Sequence, residues 1–159
     1  MEHIEKQGIY LTGIKLKKKT SNENGQSGID CGNLWQEFEK RNIPALIQDK
    51  LSSEIYAVYY DYEGDHTKPY SYFIGCPVPE NAKAEEGLDE LFIPKASYQL
   101  IEAKGKMPDC VIAAWQQIWK DRIPRAYRYD FEVYDSLNFD WQNVKVNIFL
   151  SVRQSAFLL

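Results

Sequence analysis

The chain has 159 residues, of which 44% are hydrophobic and 26% are charged, as in a single folded domain. Its net charge of −4 and its pI of about 5.3 argue against a protein of nucleic acids or membrane surfaces. No apolar stretch is long enough to span a bilayer. We therefore expect one domain over residues 1–159, with its core at about 8–152 and no direct nucleic-acid or membrane partner.

The N-terminus and the cysteines indicate a cytoplasmic protein. The first residues are polar and acidic and lack the pattern of a signal peptide. Cys31, Cys76 and Cys110 are widely spaced and form no C-x-x-C pair. Such cysteines are typical of buried thiols, not of a disulfide framework or a zinc site.

Apolar alternation and turn residues predict six strands and two helices, in the order strand–helix–strand–strand repeated twice. The first helix is expected to begin near Asp30, a good N-cap residue, and to end near Arg41 because Pro44 follows. The second begins near Pro108, which suits a first helical turn, and Pro124 closes its segment. The predicted strands cover residues 8–17, 54–62, 70–78, 97–103, 127–135 and 144–152.

Two polar segments contain side chains that also occur in binding sites. The three lysines at residues 17–19 suit a solvated strand end that discourages aggregation. Glu63, Asp65 and His66 lie in a turn rich in Gly, Asp and Pro, and the turn explains them without a metal. We expect neither a metal nor a cofactor.

The chain contains an internal repeat. Residues 34–44 resemble residues 114–124 at an offset of 80 positions, and both segments contain a Trp-Gln pair and end in Ile-Pro. After each helix, and allowing a gap, Tyr60 aligns with Tyr134. Similarity at a fixed offset indicates duplicated supersecondary units. Two copies predict a domain with pseudo-two-fold symmetry.

The strand at residues 127–135 has two chemically different faces. Phe131 and Val133 alternate with Glu132 and Tyr134, so one face is apolar and the other pairs a carboxylate with a phenol. Charge in the middle of an aromatic strand is unusual, because burying an unpaired charge is costly. Either that face is solvated, or Glu132 lies in a pocket that receives a partner.

These elements predict an α+β fold built from a duplicated unit. Its antiparallel sheet is expected to carry both helices on one face and a ligand cleft on the other. Aromatic walls and a carboxylate together suit an organic cation, through cation–π contact and Coulomb attraction. The predicted ligand-binding residues are Glu132, Tyr134, Tyr60, Tyr72, Trp119 and Val58.

Structural roles stay open for the same residues. The three predicted tyrosines also suit a solvated sheet face, since Tyr favours strands. Glu132 also has Arg128 or Lys145 as a candidate ion-pair partner. Trp35 and Trp115 are expected to anchor the core and not to contact a ligand.

Short motifs in a fixed order carry a family resemblance. They are Leu34-Trp35, Tyr56-Ala-Val-Tyr-Tyr-Asp-Tyr62, Asp65-His-Thr, Tyr70-Ser-Tyr-Phe-Ile-Gly75, Ile93-Pro with Tyr98, Trp115-Gln-Gln-Ile-Trp119 and Asp130-Phe-Glu-Val-Tyr134. Together they resemble the GyrI-like family, the effector-binding domain also found at the C-terminus of AraC- and MerR-type multidrug regulators. Within that family the chain is most similar to stand-alone, integron-associated effector-binding proteins.

The resemblance implies a duplicated α+β unit with a ligand cleft between its halves. It also implies that Glu132, in the Phe-Glu-x-Tyr motif, meets cationic, lipophilic ligands there. We expect a binding protein for cationic, aromatic small molecules. The chain has no recognisable helix-turn-helix segment, so it is not expected to activate transcription by binding DNA itself. Action in trans on a regulator or another protein stays open.

Two other functions stay open beside ligand binding. Some GyrI-like proteins that resemble this chain hydrolyse electrophilic cyclopropane-containing toxins, and a desolvated Glu132 suits a general base for that reaction. Tyr134 or Tyr60 would then donate to the developing oxyanion. The gyrase inhibition that gives the family its name would use surface residues, for which the sequence offers no specific motif. We place binding first, without catalytic residues, hydrolysis second and protein inhibition third.

Overall fold

The structure is a computed structural model that describes residues 3–153. Within that range it has eight strands, three α-helices and one 3₁₀ turn at Glu23–Gly25. The strands are β1 His3–Lys6, β2 Ile9–Lys15, β3 Glu54–Tyr60, β4 Ser71–Val78, β5 Asp89–Ile93, β6 Ala96–Gly105, β7 Tyr129–Asp135 and β8 Val144–Ser151. The helices are α1 Gln26–Lys40, α2 Ile43–Leu46 and α3 Asp109–Lys120.

The predicted α+β class is confirmed, and each of the six predicted strands corresponds to an observed one. The short strands β1 and β5 were not predicted, because they have only four and five residues, of which three and two, respectively, are polar. Helix α1 begins before the expected position, after the 3₁₀ turn and Gly25 at φ 71°. Asp30 is therefore inside the helix and not at its N-cap, and its carboxylate accepts a 2.7 Å hydrogen bond from the Thr20 hydroxyl.

All eight strands form one antiparallel sheet in the order β1-β6-β8-β7-β3-β4-β2-β5. Strand β7 lies at its centre, between β3 and β8. The junction of β3 and β7 joins the two halves of the chain. Residues from both halves therefore meet around Glu132 on β7.

The duplication is larger than the repeat in the sequence predicts. Each half has the order strand–strand–helix–strand–strand when β1 and β5 are counted as the first strands. These two strands are exchanged: β1 of the first half pairs with β6 of the second, and β5 of the second half pairs with β2 of the first. The two halves are therefore linked by reciprocal strand pairing as well as by the central junction.

The sheet curls strongly, which brings its two ends together. Strands β5 and β6 lie near opposite ends of the strand order, yet only Pro94 and Lys95 connect them. Three Cα–Cα steps of 3.80 Å reach about 11 Å at most. A flat sheet cannot satisfy that limit, so the sheet closes around a concave-side cluster of apolar side chains. Its buried members are Leu11, Tyr56, Val58, Phe73, Ile93, Tyr98, Phe131, Val133 and Phe149.

Both longer helices pack on the other face of the sheet. Leu34 and Phe38 of α1 and Val111, Trp115 and Ile118 of α3 are buried there. They form a helix-side cluster with alternate residues of the central strands, among them Ala57, Tyr72, Ile74, Tyr134 and Ile148. The prediction that both helices share one face is confirmed. The two apolar clusters lie on opposite faces of one sheet, so the aromatic residues of each strand are divided between them.

We expected Glu132 on the helix-free face of the sheet, but it lies on the face that carries the helices. The indole nitrogen of Trp115 on α3 donates a 2.6 Å hydrogen bond to its carboxylate, which places Glu132 beneath the helices. Tyr134 belongs to the same helix-side cluster. The prediction failed because the apolar residues of β7 were assigned to the face under the helices. In the curled sheet both faces are buried, so an apolar face need not be the one under the helices. The more apolar face of β7 is the concave one.

The residues of β3 that were predicted to line the site with Glu132 lie on the opposite face of the sheet from it. Val58 and Tyr60 pack in the concave-side cluster, whereas Tyr59 lies on the helix side with Glu132. The sequence alignment matches Tyr60 with Tyr134, but the equivalent seven-residue strands β3 and β7 align Tyr59 with Tyr134 when their first residues are matched. Side chains alternate between faces along a strand, so a shift of one residue exchanges every assignment.

Candidate functional site

A cavity of about 350 Å³ lies between α1, α3 and the helix-bearing face of the sheet. That size is within the range of small-molecule sites. The helices come from different halves of the chain, so the cavity lies between the halves. Its wall includes Cys31 from α1, Tyr59 from β3, Trp115 and Trp119 from α3, and Tyr62 and Arg125 from the loops.

Glu132 lies behind this wall, and both oxygens of its carboxylate accept hydrogen bonds. Its side chain is 2% exposed. The Tyr59 hydroxyl and the Trp115 indole donate to Oε2 at 2.7 and 2.6 Å, and the Tyr134 hydroxyl donates to Oε1 at 2.5 Å. Among the residues that the structure describes, no cationic side chain pairs with Glu132. Of the two candidate ion-pair partners, Lys145 pairs with Glu102 at 3.6 Å and Arg128 is exposed.

Burial raises the pKa of Glu132 above its usual value. The hydrogen bonds from Tyr134, Tyr59 and Trp115 stabilise the ionised form and oppose that rise, but burial outweighs them. Neutral donors disperse the charge of a carboxylate but do not cancel it. When Glu132 is ionised, the site therefore carries a negative charge that would gain from a nearby cation.

Aromatic rings surround the carboxylate in two layers. In the cavity wall, the ring of Tyr59 lies 4.9 Å from that of Trp115. Behind it lies Tyr72, whose ring is 5.0 Å from Tyr59 and whose hydroxyl accepts a 2.8 Å hydrogen bond from the Trp35 indole. The Trp35 ring also meets that of Tyr134 edge-on at 5.3 Å. The inner layer is thus held rigidly behind the rings that face the cavity.

The predicted site residues occupy three different places. Glu132, Tyr134 and Tyr72 are together in the inner layer, whereas Val58 and Tyr60 lie on the opposite face of the sheet. Trp119 forms part of the cavity wall; it is 36% exposed and stacks on His66 with ring centroids 5.5 Å apart.

Most of the wall residues were missed or assigned another role by sequence reasoning. Trp115 was expected to be a core anchor; it is buried in the core and also faces the cavity. Strand alternation would have identified Tyr59 if the register of β3 had been shifted by one residue. Tyr62 belonged to the predicted strand 54–62 but lies beyond the end of β3. Arg125 lies in a loop that no periodic pattern marks.

A second buried carboxylate lies two residues before Glu132 and has a very different environment. Asp130 is fully buried and pairs with Arg125 at 2.7 Å. The Tyr62 hydroxyl donates to the same oxygen at 2.6 Å. The other oxygen accepts from the backbone and hydroxyl of Ser151 at 2.7 and 2.9 Å. Asp130 thus joins β7, β8 and the loop before β7.

The remaining reactive groups near the cavity do not form a nucleophile or a metal centre. Burial, and then the charges of Glu132 and Asp30, raise the pKa of the Cys31 thiol far above its usual value, so the thiol stays protonated. In the nearby turn Asp65 accepts hydrogen bonds from Thr67, and Glu63 pairs with Lys19 at 3.3 Å. Over residues 3–153 no three His, Cys, Asp or Glu side chains cluster as metal ligands.

Among the described helices, none combines the length and the apolar composition that crossing a membrane requires.

Solved structures similar to this chain share its fold over nearly the whole length. An integron cassette protein from the mobile metagenome of Vibrio cholerae is 27% identical, with a TM-score of 0.74, and covers 96% of this chain and 95% of its own. SAV2435 bound to tetraphenylphosphonium is 19% identical, with a TM-score of 0.75 over 96% and 93% of the two chains. The C-terminal domain of EcmrR is 14% identical, with a TM-score of 0.62 over 97% of both.

A search of curated protein sequences finds no match. A family model, by contrast, matches residues 4–152, which is nearly the whole chain and includes the cavity wall and the inner aromatic layer. That family is described as Cass2, integron-associated effector binding protein. The chain therefore belongs to the Cass2 family of integron-associated effector-binding proteins.

Proposed function

We propose that this protein binds cationic, lipophilic, aromatic small molecules in the cavity between α1 and α3, with Glu132 as the source of negative charge. The observation that carries the proposal is the environment of Glu132: the carboxylate is buried, accepts three hydrogen bonds from neutral donors and has no cationic partner among residues 3–153. An external cation would supply the missing partner.

The two donors to Oε2 also belong to the cavity wall. A hydrogen bond to a carboxylate polarises the donor and makes the attached ring more electron-rich. The faces of Tyr59 and Trp115 should therefore attract a cation more strongly than isolated rings. An aromatic cation seated on them would feel the carboxylate through a single layer of side chains. SAV2435, which has the same fold, is bound to such a cation, and this supports the ligand class.

The expected strength of this attraction can be bounded. At a separation of roughly 7 Å and an effective dielectric constant of about 20, the charge–charge energy is about 2 kcal/mol. That corresponds to a roughly 30-fold change in affinity. Loss of the Glu132 charge should therefore weaken cation binding measurably without abolishing the apolar contribution of the cavity.

Hydrolysis is supported less well by the same geometry. A general base must reach the proton it removes, directly or through one water. Both oxygens of Glu132 already accept hydrogen bonds, and the carboxylate does not form part of the cavity wall. No described surface feature favours an inhibitor of another protein. Cation binding needs only the long-range field of the carboxylate, so it is the function that this geometry supports best.

The test is a titration of tryptophan fluorescence with tetraphenylphosphonium and with neutral triphenylphosphine oxide. Trp115 and Trp119 line the cavity, so occupancy should quench their emission. The informative variant is Glu132→Gln. Its amide oxygen would accept from Tyr59 and Trp115, and its amide group would donate to Tyr134, so the network keeps its shape while the charge disappears.

We expect Glu132→Gln to bind the cation roughly 30-fold more weakly and the neutral oxide unchanged. Glu102→Gln, which removes an exposed carboxylate on β6, is the matched control and should change neither affinity. Equal losses for both compounds would show that Glu132 supports the shape of the cavity and not its charge preference. No saturable quenching by either compound in the folded wild type would refute the proposed function.

A further inference from the structure

Arg125 is a buried cation in the wall of the same cavity, and part of its guanidinium group has no partner. Its side chain is 5% exposed. Nη2 donates to Asp130 at 2.7 Å, but Nε and Nη1 have no hydrogen-bond acceptor among the described residues. The group is held in place by ring contacts, 4.3 Å above Tyr127 and 5.8 Å from Trp115. The unpaired donors therefore belong to an ordered side chain.

Unpaired donors of this kind are uncommon. Buried polar groups in proteins are nearly always hydrogen bonded, because an unsatisfied one loses its interaction with solvent without compensation. Guanidinium has five N–H donors in a fixed plane, and a planar acceptor such as a carboxylate or a carbonyl suits them. Nε and Nη1 are themselves buried, so a ligand group has to displace a neighbouring side chain to reach them. Because Arg125 belongs to the cavity wall, two such nitrogens without a protein partner are a recognition feature for a ligand in that cavity.

The carboxylate that pairs with Arg125 has no free position for these donors. Asp130 already accepts four hydrogen bonds, from Arg125, Tyr62 and the backbone and hydroxyl of Ser151. The Tyr62 hydroxyl directs its proton to Asp130. The ion pair thus fixes the position of the guanidinium but uses only one of its nitrogens. The rest of the group remains for an acceptor that comes from outside the protein.

The position of Arg125 relative to Glu132 defines a separation of charges across the cavity. The Trp115 indole donates to Glu132, and its ring lies beside Arg125. The Tyr59 end of the cavity is therefore next to the negative charge, and the Arg125 end carries the positive one. Asp130 neutralises the charge of Arg125. When Glu132 is ionised, the net charge of these three residues is therefore negative, and the Tyr59 end of the cavity still favours a cation.

We propose that Arg125 is a specificity-determining residue that donates hydrogen bonds to an acceptor oxygen of the ligand. The preferred ligands then carry a carbonyl or carboxylate group as well as a cationic aromatic part. This inference rests on the proposed function, because it places the ligand in the same cavity. It adds a polar requirement that a simple lipophilic cation does not meet.

The inference is tested with phosphonium cations of equal size that differ in one group. The probes are triphenylphosphonium salts whose fourth ring carries a 4-carbamoyl group or the planar apolar 4-isopropenyl group. Affinities are measured by tryptophan fluorescence on the wild type. We expect the carbamoyl probe to bind roughly tenfold more tightly, as a hydrogen bond from a charged donor allows. Equal affinities, or tighter binding of the isopropenyl probe, would overturn the inference.

Two variants show whether Arg125 causes the preference. Arg125→Lys keeps a positive charge beside Asp130 but loses the planar group of donors. The double variant Arg125→Met/Asp130→Asn removes both charges of the buried pair, so that neither is left alone. We expect the ratio of the two affinities to fall to within about twofold of unity in both. Arg122→Met, which removes an exposed arginine outside the cavity wall, should keep the wild-type ratio.

The ratio is measured within one protein, so a general loss of stability does not imitate the expected result. If either variant fails to fold, the other and the wild-type comparison still decide. A preference that persists in both variants would assign the acceptor contact to another residue and overturn the inference. Binding of tetraphenylphosphonium with no preference for the carbamoyl probe would defeat this inference alone. A folded wild type that binds no phosphonium at all would defeat the proposed function as well.

Discussion

Asp130 and Glu132 are neighbours on one face of β7, yet the protein treats their charges in opposite ways. Asp130 has a cationic partner, Arg125, and its hydrogen bonds connect separate elements of the fold. Glu132 has three neutral donors and no described cationic partner. Both carboxylates are almost completely buried, so solvent exposure does not explain the difference.

The comparison separates a carboxylate that serves the fold from one that we propose serves binding. A buried ion pair holds its partners together because removal of either leaves the other uncompensated. A buried carboxylate with only neutral donors keeps its charge available when it is ionised, at a cost in stability. Two residues apart on a strand, the chain thus has a structural anchor and a candidate recognition group. Each of the following experiments tests one side of this contrast.

The largest effect is expected when the ion pair is broken from one side. Arg125→Met leaves Asp130 buried with only neutral donors and should reduce the free energy of unfolding by about 3–5 kcal/mol. Chemical denaturation with urea measures it. Arg125→Met/Asp130→Asn should recover a substantial part of the loss, because no charge is then left alone. The contradicting outcome is a double variant whose loss of unfolding free energy equals the sum of the losses of Arg125→Met and Asp130→Asn measured singly. The pair would then not be coupled, and the contrast with Glu132 would be lost.

A smaller effect is expected when the whole Glu132 side chain is removed. Glu132→Ala leaves the Tyr59, Tyr134 and Trp115 donors without their acceptor and opens a gap in the core. We expect it to cost about 2–3 kcal/mol in unfolding free energy. Glu132→Gln keeps an acceptor for the same donors and should differ from the wild type by less than about 1 kcal/mol at pH 5. Equal destabilisation by Ala and Gln would mean that the charge itself holds the network.

The third effect concerns pH. The pKa of Glu132 is raised in the folded protein by burial, from an ordinary value of 4.5. Below pH 4.5 the carboxyl group is mostly neutral in both the folded and the unfolded state, so it does not change the free energy of unfolding with pH. As pH rises from 4.5 toward the folded-state pKa, the unfolded chain ionises first, so this group makes the protein progressively less stable. Above the folded-state pKa the loss is constant.

Urea denaturation at a series of pH values from 4 to 8 isolates this contribution when the wild type is compared with Glu132→Gln. The difference in unfolding free energy between the two should grow in favour of Gln as pH rises above 4.5. A difference that does not change with pH would show that Glu132 has the same pKa in both states. Cation affinity should increase over the same interval in the wild type only, because the ionised carboxylate attracts the ligand.

The smallest effect is expected from a single phenol. Tyr134→Phe removes the donor to Oε1 of Glu132 and should cost about 1 kcal/mol in unfolding free energy. It should also raise the pKa of Glu132 further, since that hydrogen bond stabilises the ionised form. Tyr60→Phe is the matched control on the concave side and should leave cation binding and its pH dependence unchanged. A change in either with Tyr60→Phe would contradict the assignment of faces.

Sequence pattern was enough to predict six of the eight strands and the two longer helices, and to single out Glu132 as an unusual charge in an aromatic strand. Strand alternation groups Glu132 with Tyr134, and the structure joins them directly. The pattern could not identify their face, because a curled sheet buries both faces and removes the usual difference between core and solvent. It also could not identify Tyr59 in place of Tyr60, because tyrosine occupies both positions and only strand pairing decides the register.

Arg125 was beyond sequence reasoning for a different reason. Its position depends on the loop before β7, where Tyr127 adopts a positive φ of 53° and lies against the guanidinium. Loop conformations of this kind arise from tertiary contacts and leave no periodic signal in the sequence. The expected ion-pair partners, Arg128 and Lys145, were selected because they are close in sequence or on a neighbouring strand. The cation that does enter the core pairs with Asp130 instead.

The exchange of β1 and β5 has a consequence for how the chain could be divided. Neither half contains all the strands that flank its own sheet, so a fragment that ends within residues 79–88 would expose an unpaired edge along β2. Two such fragments hold complementary edges, because each carries the strand that the other lacks. We therefore expect co-expressed fragments to reconstitute the domain while each alone aggregates. A covalent chain through residues 79–88 would serve mainly to keep two interlocked partners at a fixed stoichiometry.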